Sequence, residues 1–153
     1  MNAKENQKNQ ADDLSVSLLH AISEVRHNLM MVGSSFEATT IGRLDYTNLQ
    51  FKLSSLLIKA ATNYDGNGNN CGIEHDITLR IRQRIQFCHE AIEHLTSCYE
   101  LRKKILPIGH RLVKEVNEFK LKAWIMYHRL DEILVFETRR AQKCELGPNA
   151  PAA

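Results

Sequence analysis

No stretch of this chain approaches the roughly 18 consecutive apolar residues that a membrane-crossing helix needs, so no membrane span is expected. Residues 1–10 are polar and lack the apolar centre of a secretion signal. The four cysteines, Cys71, Cys88, Cys98 and Cys144, show no Cys-x-x-Cys spacing, which argues against zinc-ribbon and thioredoxin-type sites. These absences predict reduced thiols in a cytoplasmic protein. A surplus of charge is missing too: the net charge is +2, too small to imply a nucleic-acid partner by itself. There is no glycine-rich phosphate loop and no Ser/His/Asp arrangement. The expectation is therefore a protein that is not an enzyme, with no cofactor, no metal and no small-molecule substrate.

What is present is an ordinary globular composition. The 153 residues are 43% hydrophobic and 25% charged, enough for one domain with its own core. The charge is unevenly spread. Residues 1–72 carry six Lys/Arg against seven Asp/Glu, and residues 73–153 carry fourteen against eleven.

Hydrophobic periodicity predicts an all-α fold, a four-helix bundle over residues 12–143 with a disordered tail at 1–11 and a flexible tail at 144–153. The first helix starts at Asp12 or Asp13, either able to cap its free N–H groups. It carries Leu14, Leu18, Ile22, Val25, Leu29 and Val32 at spacings of four and three, and ends at Gly33-Ser34. A linker over residues 34–42 leads to a second helix with Leu49, Leu53, Leu56, Ala60 and Tyr64 on one side. The third helix begins near Ile73, repeats Ile81, Ile85, Cys88, Ile92, Leu95 and Tyr99, and stops before Pro107. The fourth runs from about His110 to Lys143, with Leu112, Val116, Phe119, Ala123, Met126, Leu130 and Ile133 in heptad spacing. The last two helices form a long antiparallel hairpin, with shallow left-handed packing. At about 33 residues each, or ~50 Å, they outreach the first two, at about 20 residues or ~30 Å, and unless the linker covers the excess, part of the hairpin lacks a partner within the chain.

The fourth helix also carries Leu121, Trp124, Ile125 and Val135 off its core stripe, where a simple bundle helix is polar. Either this helix is central and touches several neighbours, or these residues form an exposed apolar patch that docks a partner or another copy of the chain.

Four features offer candidate sites. Asn63-Tyr64-Asp65-Gly66-Asn67-Gly68-Asn69-Asn70-Cys71-Gly72-Ile73-Glu74 has the oxygen, glycine and glutamate spacing of an EF-hand calcium loop. Asn63 stands where Asp is usual, and a flexible Asn/Gly-rich connector is the plainer reading. His89-Glu90-Ala91-Ile92-Glu93-His94 places its histidines five apart, about 140° around a helix, and fails the zinc-protease spacing. His94 and Cys98 share a face but lack further ligands. His110-Arg111-Leu112-Val113-Lys114 loosely resembles a phosphotransfer-histidine motif, without its glycine and with its lysine displaced. Finally, Arg102, Lys103, Lys104, Arg111 and Lys114 meet at the hairpin turn with His110, and Arg80, Arg82 and Arg84 add charge farther along. Such groups suit phosphates; solvated surface and compensation of the helix dipole explain them as well.

One stretch, Ser54-Ser55-Leu56-Leu57-Ile58-Lys59-Ala60-Ala61-Thr62-Asn63-Tyr64-Asp65-Gly66, resembles the second helix of the bacterial 23S rRNA intervening-sequence proteins. Their fold is shared by the accessory variability proteins of diversity-generating retroelements. The register slips by one or two residues, and Asp65 replaces Glu. Glu90-Ala91-Ile92-Glu93-His94-Leu95 and Leu112-Val113-Lys114-Glu115-Val116-Asn117-Glu118 are similar to the rhythm of that family's last two helices. The resemblance spans about residues 14–136. It implies a ring-like homo-oligomer with a basic surface for RNA, DNA or a reverse-transcriptase partner, and no catalytic residue.

The expected function is a self-associating adaptor or accessory protein. Leu121, Trp124, Ile125 and Val135 would supply its protein contact, and Arg102, Lys103, Lys104, Arg111 and Lys114 a nucleic-acid contact. The alternatives are a protein-only interaction module and a calcium binder at residues 63–74.

Overall fold

The structure, a computed structural model, describes residues 3–33, 39–63 and 74–147, with side chains described from Val16 in the first helix and from Ile77 in the third. Four helices make up nearly all of these residues: α1 Ala3–Val32, α2 Thr40–Asn63, α3 Glu74–Ile105 and α4 Arg111–Leu146. No strand occurs among the described residues.

Local chemistry sets the ends of the helices. Thr39 caps α2, its hydroxyl accepting from the Gly42 amide at 2.9 Å, so the helix begins inside the expected linker. The α3–α4 turn is made by Gly109 at φ 79°, a conformation that side chains resist. His110 then caps α4, its Nδ1 accepting from the Leu112 amide at 3.1 Å. Gly147, at φ 68°, ends α4, carrying that helix past Lys143. α1 reaches back to Ala3, well before the expected start. A disordered tail is the expectation for residues 1–11 because they have nothing to bury. Their Ala, Lys, Glu and Gln are nonetheless strong helix formers.

Each helix packs on its neighbour in sequence: α1 on α2, α2 on α3, α3 on α4. One core cluster joins all four helices through Ile22, Val25, Leu29, Leu53, Leu57, Phe87, Cys88, Ala91 and Leu130. A second joins Ile92, Leu95 and Cys98 of α3 to Val116 and Ala123 of α4, closed by Phe51 of α2 and Phe119 with ring centroids 5.4 Å apart. An exposed two-pronged ion pair ties α1 to α3, Arg26 Nε and Nη2 lying 2.7 and 2.5 Å from the Glu90 carboxylate.

The buried face of α2 differs from the leucine face expected from sequence. Leu53 and Ala60 are buried, but Leu49 and Leu56 are half-exposed. The helix turns inward a polar row instead: Thr47, Gln50 and Ser54 beside Leu57 and Ala61. Each has work there. Ser54 donates to the carbonyls of Gln50 and Ala91, at 2.8 and 3.3 Å. Gln50 Nε2 donates to Ser97 at 2.9 Å, while its Oε1 meets no donor. Thr47 receives the Arg102 guanidinium at 3.1 Å. Tyr64, expected on this face, lies outside the described residues.

Candidate functional site

α4 is an outer helix with two apolar stripes on opposite sides. At 100° per residue, Val116, Phe119, Ala123, Met126 and Leu130 point one way and are buried or half-buried against the core. Leu121, Trp124, Ile125, Val135 and Phe136 lie about 180° away. They are exposed by 61, 41, 45, 43 and 65% of their surface. The reading in which α4 is central, with neighbours on several sides, does not fit a helix whose main partner is α3. The indole is held in place locally. It stacks on His128 with centroids 5.6 Å apart and 23° between planes, and meets Tyr127 edge-on at 5.7 Å.

The far half of α4 also outruns its support. Arg84 Nε donates to the Ala61 carbonyl at 2.6 Å, and Thr62 reaches Met126 Sδ at 3.9 Å. These contacts fix the level at which α2 ends. Beyond it Ile133, the last member of the core heptad, is 46% exposed, and Ile77 and Leu79 of α3 are exposed too. Apolar side chains are thus exposed at this end of the hairpin, although α1, at 30 residues, is nearly as long as the 32-residue α3 and only α2, at 24, is clearly shorter.

The expected basic cluster divides. Arg102 is 2% exposed and cannot serve as a surface phosphate contact. Its guanidinium donates to Thr47 Oγ1 at 3.1 Å, Asn48 Oδ1 at 2.8 Å and the Leu112 carbonyl at 3.1 Å, and lies 5.4 Å from the Phe51 ring centre. It is a structural tie between α2, α3 and α4. Lys103, Lys104, Arg111 and Lys114 remain exposed at the hairpin end. Lys103 is engaged over Tyr99 at 5.1 Å, a ring that Lys120 also meets at 4.9 Å. Of the other arginines, Arg84 is committed to the end of α2.

The cysteine and histidine candidates are accounted for by packing. Cys98 donates to the Thr47 carbonyl at 3.3 Å. Burial pushes the Cys88 and Cys98 thiols up to about 11, against a smaller opposing effect of Arg84 and Arg102. Burial also lowers the His94 pKa, with Glu90 and Glu93 opposing that shift. Among the described residues no group of three or more His, Cys, Asp or Glu could hold a metal ion, and no helix is long and apolar enough to cross a membrane. Of the EF-hand-like stretch, Asn63 ends α2 and Glu74 begins α3, while residues 64–73 lie outside the described residues. Because thiolate is the reactive form, a Cys71→Ser variant treated with iodoacetamide at neutral pH should take a single adduct, at exposed Cys144. Cys88 and Cys98 should react only on denaturation. Native labelling of either, read by peptide mass spectrometry, would contradict the packing of α3.

Sequence reasoning missed Phe136 and the polar row on α2. Phe136 lies eleven residues, three full turns, beyond Ile125, so its place on the outer stripe was available from spacing. Thr47, Gln50 and Ser54 likewise keep helical spacing. Their polarity hid them.

No known protein family, curated protein or solved structure matches the chain.

Proposed function

We propose that this chain is a non-enzymatic helical-bundle interaction module that self-associates through the outer face of α4. The observation supporting this is the second apolar stripe, Leu121, Trp124, Ile125, Val135 and Phe136, exposed on the side of α4 opposite the core. Apolar surface gathered on one face of a helix is the usual mark of a docking site. A tryptophan stacked in place is a suitable anchor, because little side-chain freedom is lost when it is covered. The resemblance to the rRNA intervening-sequence proteins likewise implies self-association, there as a ring-like homo-oligomer.

Light scattering on the purified protein is expected to give a multiple of 17.5 kDa. Trp124→Asp should lower that mass while leaving helix content by circular dichroism unchanged, since the indole is outside the core. An unchanged mass for the variant, or a monomeric parent, would remove the reading. A second reading, nucleic-acid binding, draws on Lys103, Lys104, Arg111 and Lys114, exposed together at the hairpin end. It would appear in the same run as excess absorbance at 260 nm, lost at high salt.

A further inference from the structure

The outer stripe of α4 is not uniform. Its apolar residues form two groups, Leu121, Trp124 and Ile125 toward the start and Val135 and Phe136 toward the end. Between them, on the same face, stand exposed His128 and Glu132. The gap from Ile125 to Val135 is about 15 Å along the helix. Glu132 has no hydrogen-bond or ion-pair partner among the described residues. A partner helix must therefore offer two apolar groups with a polar centre of opposite order.

This chain supplies such a helix. We infer that the occupant of the outer face is α4 of a second copy, laid antiparallel across a two-fold axis at the level of Leu130. The inference rests on the self-association proposed above and specifies its geometry. When the helix is reversed about that level, Ile125 faces Val135 of the partner subunit, and Trp124 faces Phe136 of the partner subunit. The same register sets His128 against Glu132 of the partner subunit, twice by symmetry, so the unpaired carboxylate gains a hydrogen-bonding or charged neighbour. Leu121 then covers the stem of Arg139 of the partner subunit, leaving its guanidinium to water.

The parallel arrangement fares worse. It sets every residue against its own copy, so that Glu132 meets Glu132 of the partner subunit in the middle of the seam. Like charges across a helical seam oppose association. The outer face of α4 is open to such a partner among the described residues, since α3 packs on the side of Val116 and Ala123. An interface in which each residue's contact is repeated by symmetry is the commonest kind among homo-oligomers. A single helix pair is a small interface, so the dimer should dissociate on dilution.

The test uses the full chain in a Cys71→Ser/Cys144→Ser background, which leaves only buried thiols in α3. Leu121→Cys and Arg139→Cys are made separately, then mixed and mildly oxidised. The expected result is a disulfide between residue 121 of one chain and residue 139 of the other in the mixture, little cross-linking of either variant alone, and a parent mass limited to two chains. Cross-linking of Leu121→Cys to itself would overturn the antiparallel register while leaving self-association standing, as would a parent mass beyond two chains. A parent that stays monomeric at high concentration would overturn both.

Discussion

Arg102→Glu is expected to unfold the protein. The guanidinium is 2% exposed and donates to three oxygens, on Thr47, Asn48 and Leu112. A glutamate there would bury a carboxylate among groups placed to accept, not to donate. Removing the complement of a buried charged network typically costs 3–5 kcal/mol, and a reversed charge adds to that, so about 4 kcal/mol or more is expected. Domains of this size are stable by about 5–15 kcal/mol, so the variant should be largely unfolded or denature at much lower urea. Arg102→Met is the informative contrast. Thr47 Oγ1 still donates to the Leu44 carbonyl at 2.8 Å, exposed Asn48 can turn to water, and methionine avoids the cost of desolvating a cation. Its loss should be about 1–2 kcal/mol, or roughly 3–6 °C in melting temperature. If Arg102→Glu melted with the parent, α2, α3 and α4 would not be joined as described.

Ala91→Leu should be the most damaging conservative change in the core. Ala91 is fully buried in the cluster shared by all four helices. Its carbonyl lies 3.3 Å from Ser54 Oγ, which brings the backbones of α2 and α3 close at this level. With Ala91 fully buried, three added carbons must displace their neighbours, and interiors transmit such strain because they are packed like crystals. Overpacking costs about 1–3 kcal/mol and occasionally more; contact through a backbone leaves little slack, so the upper end is expected. Ala91→Gly supplies the control, at about 1 kcal/mol from helix propensity. Urea midpoints of the two variants measure the difference. A leucine variant no worse than the glycine one would mean that α2 and α3 stand farther apart here.

The fold was largely legible because its main signal is periodic. The heptads of α4 from Leu112 to Leu130 point to the core, and Pro107 and Lys103-Lys104 marked the end of α3. Ile133 obeys the same period yet is exposed, since a pattern reports which side a residue faces and not whether anything lies opposite. Helix α2 was misread for a related reason. Counting leucines found Leu49 and Leu56, while the helix rolls to bring Thr47, Gln50 and Ser54 against Arg102, Ser97 and the Ala91 carbonyl. Burying polar groups is tolerable only when partners wait on another helix, and one helix read alone cannot show them.

The candidate sites divide the same way. Leu121, Trp124, Ile125 and Val135 were visible as apolar residues off the core stripe, and their exposure is what the structure adds. The basic cluster was a statement of adjacency. Two residues along a helix are a turn of 200°, enough to send Arg102 inward and leave Lys104 in water. Which cation is structural was not readable from the run Arg102-Lys103-Lys104.

The order of packing, each helix against the next in the chain, also bears on how the molecule forms. Joined helices that meet their immediate successors give contacts of short sequence separation, and chains rich in such contacts fold in microseconds to milliseconds. The Arg102 contact with the Leu112 carbonyl spans one tight turn, so the α3–α4 hairpin can organise early. α1, resting mainly on α2, would then close last and open first.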